Sequence, residues 1–584
     1  MTAGGADRGQ YDAVVIGSGF GGAVAAYQLV RGTQLRVLLL ERGMPYPPGS
    51  FARTPRGMRR SFWDPTAGLH GLYELWSFSK VRAVVASGLG GGSLIYANVM
   101  LRKPPDTFGA DPSNDDMAWP VPHSELVDEY RDAERVMQPN PLPPEYLGAD
   151  PLQDGVPKTE QFLDAARSAG LEPQLAPIAV TFRARRGRGH TDGPPSPGVP
   201  FGEDNLHGRV RHTCTLVGEC DLGCNQGAKN SLDYTYLDRF LKDGGDRAQV
   251  FTCCEATRIE PAAGGYRVHY VEHAAAREIV ARRRRAHPAG AELLDPDTDD
   301  EAGPWSRAVT AKVVIVAAGT FGSTRLLLAS RPGLPGLSAQ LGRRFSTNGD
   351  LLTFARDCRD PGGDGWRDLA PSAGPVITAY AEHQSGGRRL WMEDAGGPAL
   401  SEWLWQTAEL PRDLWSQRRA LGSLVRGHHG GRISRIVARS FGSAAASSAM
   451  LPMLTMGQDV SGGRFRLQGD GLSLDWDPDG ASSSYFRAAE DLSDRFARHL
   501  GGRPTPPLFA RWSRGLTAHP LGGCPMGHDI RTGVVDAHGE VFAYPGLFVA
   551  DGSIMPGPVG PNPSLTIAAL AGRIGKAALR RATA

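Results

Sequence analysis

The segment from Tyr11 to Glu41 constrains the fold of this chain more than any other. Tyr11-Asp-Ala-Val-Val-Ile-Gly17 is a short apolar run with β-branched residues that ends on glycine, the pattern of a buried strand. Gly17-Ser-Gly19-Phe20-Gly-Gly22 follows, and Ala23 to Val30 reads as a helix. Arg36-Val-Leu-Leu-Leu-Glu41 is a second buried strand, and it ends in an acid. Glycines at 17, 19 and 22 permit a tight turn and let backbone approach a pyrophosphate. The helix that follows presents its N-terminus to that charge, and Glu41 can accept a ribose hydroxyl. Strand, turn, helix, strand and acid in this order define a dinucleotide-binding unit. The pattern does not distinguish NAD from FAD.

Three later segments carry related signals. Gly88-Leu-Gly90-Gly91-Gly92-Ser93-Leu-Ile-Tyr-Ala-Asn98 lets backbone come close to a flat ring or a phosphate, and Leu94, Ile95 and Val99 argue against a solvated linker. Around Gly319 a strand over Val313 to Ala318 leads to a helix over Thr324 to Ser330, which fits a strand beside the first one. The tail holds His519-Pro-Leu-Gly-Gly-Cys524, Asp551-Gly552-Ser553 and Asn562-Pro563-Ser564. It therefore puts an imidazole and a carboxamide in a stretch that also reads as cofactor-binding backbone. Pro561 and Pro563 would fix the backbone around Asn562.

At 584 residues the chain exceeds one simple core, so two domains, interleaved in sequence, are expected. A net charge of +2 argues against a nucleic-acid footprint. The run Arg282 to Arg285, followed by Asp295, Asp297, Asp299, Asp300 and Glu301, reads as a solvated insertion loop. No apolar stretch is long enough for a transmembrane helix, and Met1 to Gln10 lacks the apolar centre of a secretory signal, so a cytoplasmic location is expected. Seven cysteines do not suggest a disulfide framework. Cys214, Cys220 and Cys224 sit on one loop. Structural thiols are one reading of them, and soft ligands to an iron–sulfur cluster or zinc are another.

With these pieces in register along nearly the whole chain, the sequence resembles the glucose-methanol-choline (GMC) flavin oxidoreductases. Its tail, with His519 and Asn562, resembles the cholesterol oxidase branch most. The resemblance implies an α/β chain in which a Rossmann-like FAD-binding domain is interleaved with a substrate domain built on a mixed or antiparallel sheet. The FAD domain is expected at 1–105, 207–344 with an insertion at 273–307, and 515–584. The substrate domain is expected at 106–206 and 345–514.

The resemblance also implies site roles. Gly17, Gly19, Phe20, Gly22, Glu41, Gly88, Gly90, Gly91, Gly92, Ser93, Asn98, Gly319, Asp551, Gly552, Asn562 and Pro563 would hold FAD. His519 and Asn562 would face the reactive edge of the flavin, His519 as base and Asn562 orienting the alcohol. Glu393, in Arg389-Leu-Trp-Met-Glu393, is the match to a carboxylate that moves a proton in the sterol oxidases. No histidine lies between Gly88 and Asn98, which favours non-covalent FAD. The expected reaction is oxidation of an alcohol by hydride transfer to flavin, with oxygen or another electron acceptor downstream. Trp391, Trp403, Trp405 and Trp415 in the substrate domain favour a bulky, apolar, sterol-like or lipophilic substrate. Two alternatives are an iron–sulfur-containing FAD dehydrogenase and a flavin-bound lyase or isomerase without net redox chemistry.

Overall fold

The structure is a computed structural model that describes residues 7–109, 118–148, 155–183, 195–202, 204–286, 305–360, 365–398 and 449–584. Its largest sheet is ordered Ala248–Phe251, Val37–Leu40, Asp7–Ile16, Trp305–Val316, Gly265–Glu272, Cys254–Ala262. The first four strands run parallel and the last two form an antiparallel hairpin. Leu547–Val549 joins in parallel beside Val314 to Val316, so the tail of the chain enters the sheet begun at its head.

Val37–Leu40 is buried at every residue, as expected of a parallel strand covered on both faces. The strand expected at 313–318 begins earlier, at Trp305, because its first half pairs with Gly265–Glu272. The helix expected from Ala23 already starts at Phe20, and all of its residues to Val30 are buried. It packs against the C-terminal helix Ser564–Thr583. The contact is close: a Cβ on Gly575 would stand 2.8 Å from the Cβ of Gln28 and 3.1 Å from the Cα of Ala25. The first and last helices thus share one core.

The basic run expected as a loop is instead the end of a helix, Ala274–Ala286. Alanine, arginine and glutamate are strong helix formers, and their local preference outweighs charge repulsion here. The acidic patch at 295–301 lies outside the described residues.

The second sheet is antiparallel, ordered Leu351–Ala355, Leu451–Gly457, Arg388–Asp394, Ala379–Ser385, Pro173–Leu175. Helices Pro157–Ser168 and Ser483–His499 cover one face, with Phe162, Ala381, Met392, Leu451 and Phe496 in the core between them. Lys158 Nζ donates to the Asp394 carboxylate at 2.5 Å, and both side chains are fully buried. Asp394 also accepts the backbone N–H groups of Thr378 and Ala379. The strand itself starts at Ala379. Gly463–Gln468 and Gly471–Asp475 form a separate antiparallel hairpin. Side chains alternate along a strand, so Trp391 and Glu393 point away from the Met392 face and toward the tail of the chain. Trp391 lies against Gly560, where a Cβ would come within 2.6 Å of its ring. It is therefore core, whereas Trp403, Trp405 and Trp415 lie outside the described residues.

Candidate active site

The glycines of the N-terminal turn divide into two kinds. Gly17 has a φ of +99°, and a Cβ on Gly22 would stand 1.9 Å from the Gly17 carbonyl oxygen. A Cβ on Gly21 would stand 1.4 Å from the Ala550 carbonyl oxygen. These positions are glycine because chain meets chain. Gly19 differs: a Cβ there meets nothing within 4 Å, and the same holds at Gly92 and Gly319. Their backbone faces open space.

Glu41 stands at the end of its strand, buried, and burial pushes its carboxyl up. It accepts the N–H of Ser18 at 3.0 Å, the Ser18 hydroxyl at 2.5 Å and the N–H of Gly43 at 2.8 Å. Ser18 Oγ in turn accepts Gly90 N–H at 3.0 Å, and a Cβ on Gly91 would stand 2.6 Å from the Gly19 Cα. The two glycine loops therefore touch. Ser18, not singled out from the sequence, is the link between them. Ser93 is spent on the loop itself, donating to Gly90 O and accepting Leu232 N–H. Asn98 closes the loop in the left-handed region, φ 72°, and is fully buried. Neither end of its amide has a partner among the described residues.

At the other end of the chain, the Asp551 carboxylate accepts Gly319 N–H at 2.9 Å, the Ser323 hydroxyl at 2.5 Å and Ser553 N–H at 2.8 Å. It ties the turn at 319–323 to the tail, with Gly552 packed on Thr320. Pro563 stands at the N-cap of the C-terminal helix Ser564–Thr583.

His519 and Asn562 are held by one turn that sequence reasoning did not single out, Ser346 to Asp350. His519 Nδ1 donates to Asp350 Oδ1 at 2.8 Å. The other Asp350 oxygen accepts from Thr517 Oγ1, Ala518 N and His519 N at 2.8, 2.9 and 3.2 Å. Two residues earlier, Asn348 adopts φ 55° and serves the other loop. Its Nδ2 donates to the carbonyls of Gly560 and Pro561, both at 3.1 Å, and its Oδ1 accepts Val559 N–H at 2.9 Å and Gly560 N–H at 3.0 Å. Asp459 holds the turn from behind through Ser346 and Thr347, and burial pushes its carboxyl up to about 6. The available signal was Ser-Thr-Asn-Gly-Asp lodged between Phe345 and Leu351, a polar turn in apolar surroundings.

Glu393 is fully buried, and Asn562 Nδ2 donates to its Oε2 at 3.3 Å. Its Oε1 and Asn562 Oδ1 have no partner among the described residues. Burial pushes the Glu393 carboxyl well above the ordinary glutamate range, and the nearby Asp394 and Asp350 carboxylates push it the same way. His519 is partly exposed, 17% of its side chain, and its Nε2 makes no hydrogen bond to another described residue. The sequence-predicted histidine, amide and acid thus gather in one place, each from a different part of the chain.

The cysteines behave differently. Among the described residues no group of three or more His, Cys, Asp or Glu side chains is placed to hold a metal ion. Burial pushes the Cys214 and Cys220 thiols up, which opposes the thiolate a metal needs. Cys220 packs with Val376 and Trp391. The iron–sulfur expectation gains nothing from this arrangement. No helix among the described residues is long and apolar enough to cross a membrane.

A glycine-turn nucleotide cradle, an acid-ended strand and a tail that returns to both define a Rossmann-type flavoprotein oxidoreductase. Residues 505–571 match the family model described as GMC oxidoreductase. A cholesterol oxidase of Mycobacterium tuberculosis is 28% identical over 96% of this chain and 90% of its own length. A cholesterol oxidase of Acinetobacter baumannii is 26% identical over 96% of this chain and 93% of its own. The crystal structure of pyridoxine 4-oxidase from Mesorbium loti superposes with a TM-score of 0.54 at 16% identity, over 97% of this chain and 99% of that one. Residues 505–571 thus carry the GMC oxidoreductase match, and over nearly its whole length the chain is similar to the cholesterol oxidases. The residues present fit FAD: open backbone at Gly19, Gly92 and Gly319, a buried Asn98 amide awaiting partners, and Glu41 at the strand end.

Proposed function

We propose that this protein oxidises a bulky, apolar alcohol with FAD, and that His519 accepts the hydroxyl proton. The observation that carries the reading is the Asp350–His519 hydrogen bond. A carboxylate on Nδ1 fixes the proton there and leaves Nε2 as a lone-pair acceptor, the state a general base requires. Asn562 orients the alcohol without adding charge. Glu393 keeps Asn562 in place, and its burial disfavours a negative charge beside the electron-rich oxygen that forms when the proton leaves. Bound FAD supplies the acceptor for the hydride that leaves the carbinol carbon. Non-covalent FAD, the division into an FAD domain (1–105, 207–344, 515–584) and a substrate domain (106–206, 345–514), and final electron transfer to oxygen or another acceptor belong to the same reading. The apolar substrate is supported by the similarity to the two cholesterol oxidases.

The test is anaerobic mixing of the flavin-loaded protein with a panel of alcohols, sterols included, followed by absorbance. Bleaching of the flavin band by at least one bulky alcohol is the expected result. A second reading is favoured by the buried, half-satisfied Glu393, whose carboxyl burial pushes upward: a proton shift within the substrate, with no net redox change. Product without bleaching would select it.

A further inference from the structure

The loop that leads into Asn562 is held by side chains. Pro558 to Pro561 is buried and makes no backbone–backbone hydrogen bond among the described residues. Pro558 and Pro561 have no N–H, so the loop offers only the N–H groups of Val559 and Gly560 against four carbonyls. Asn348 takes both N–H groups on Oδ1 and donates through Nδ2 to the carbonyls of Gly560 and Pro561. The carbonyls of Pro558 and Val559 accept from Lys103 Nζ at 3.0 and 3.3 Å. Asn348 and Lys103 between them thus satisfy every backbone polar group of the loop.

Lys103 is buried, with 1% of its surface exposed. Its ammonium stands 4.6 Å from the centroid of the Trp119 ring and 5.4 Å from that of Phe108, and the two rings meet edge to face. Ring faces and carbonyl oxygens stand in for the water that a cation needs. Burying an ammonium costs more than burying an apolar side chain of similar length, so filling space does not account for a lysine here.

The two clamps tie the loop to different parts of the site. Asn348 belongs to the turn that holds His519 through Asp350, so it sets the carboxamide against the imidazole. Lys103 belongs to the stretch that leaves the glycine loop after Asn98. Val99 in that stretch accepts from Ser564 Oγ at 3.0 Å, so the exit of the glycine loop is joined to the tail on both sides of Asn562.

We propose that Lys103 is a positioning residue for alcohol oxidation: its ammonium holds the Pro558 and Val559 carbonyls and so keeps Asn562 in register with the glycine-loop cradle. This rests on the reading of His519 and Asn562 as the pair that handles the alcohol. Loss of the ammonium then lowers the rate at saturating alcohol and leaves alcohol binding and flavin content close to wild type.

The experiment is a double-variant cycle on flavin-loaded protein, Lys103→Met with Asn562→Ala, read as anaerobic reduction per bound flavin. Methionine fills the ring box without donating. Lys103→Met is expected to lower the limiting rate about 10-fold to 100-fold at a nearly unchanged half-saturating alcohol concentration, the effect of a misplacement of about 1 Å. In Asn562→Ala protein the same substitution should lower the rate by less than about 2-fold, because its effect runs through the carboxamide. Losses that multiply, or an unchanged limiting rate with only a lower melting temperature, would overturn the proposal. If Lys103→Met does not fold, Lys103→Gln takes its place in the cycle under the same criteria. If no alcohol bleaches the wild-type flavin, the alcohol reading has failed, and sulfite, which bleaches flavins without any alcohol, decides on Lys103. The sulfite dissociation constant should shift at least about 2-fold in Lys103→Met, and the double variant should match Asn562→Ala. An unshifted constant, or shifts that multiply, also overturns the proposal.

Discussion

Asp350 and His519 lie 169 positions apart in sequence and 2.8 Å apart in space, joined through Nδ1 of the imidazole. The same turn sends Asn348 to the backbone of the Asn562 loop. The relative placement of imidazole and carboxamide is therefore set by a third element, and small errors in that element are felt at both.

His519→Ala is expected to keep FAD bound, since no cofactor-cradle contact involves its ring, and to slow anaerobic flavin reduction by at least about 100-fold. Stopped-flow absorbance with the best alcohol of the panel reads this directly. Reduction at the wild-type rate would remove His519 from the mechanism.

Asp350→Asn should lower flavin reduction about 10-fold to 100-fold, because an amide can present its N–H side to Nδ1 and favour the wrong tautomer. In the double variant with His519→Ala the two losses should not add, since one acts through the other. Additive losses would mean that Asp350 only stabilises the fold.

Glu393→Gln should change the pH dependence of stability in a defined direction. The folded-state pKa of Glu393 is raised above its unfolded value, so folding takes up a proton above the ordinary value of 4.5. Wild-type stability from this group is fully present below that value and is lost as pH rises toward the raised folded pKa. Glutamine stays neutral throughout. The melting temperature of Glu393→Gln relative to wild type should thus climb as pH increases above about 4.5. A flat difference between pH 4 and pH 8 would show that Glu393 ionises normally.

Gly19→Ala and Gly21→Ala separate two uses of the same turn. A Cβ at 21 collides with Ala550 O at 1.4 Å, so Gly21→Ala should fail to give folded protein. A Cβ at 19 meets no protein atom. Gly19→Ala should fold, by circular dichroism, and lose flavin. Full flavin content in Gly19→Ala would contradict the cradle.

Lys158→Ala leaves the buried Asp394 carboxylate without its cation. Denaturant unfolding should show a loss of about 3–5 kcal/mol, the cost of breaking one half of a buried pair. A loss under about 1 kcal/mol would mean that the backbone N–H groups of Thr378 and Ala379 suffice.

What was readable from sequence was whatever rests on local pattern. The Tyr11–Glu41 unit, the glycine loop at 88–92 and the strand before Gly319 announce themselves because burial on both faces and positive φ restrict which residues can stand there. His519, Asn562 and Glu393 were readable as candidates through the family resemblance. Tertiary structure alone decided what surrounds them. Ser18 bridging Glu41 to Gly90, and Asn348 and Asp350 holding two distant loops, depend on contacts between segments far apart in the chain. A hydrogen-bonding side chain carries no mark in sequence of which partner it will meet. That choice is made only when packing has excluded water and left each buried polar group one place to go.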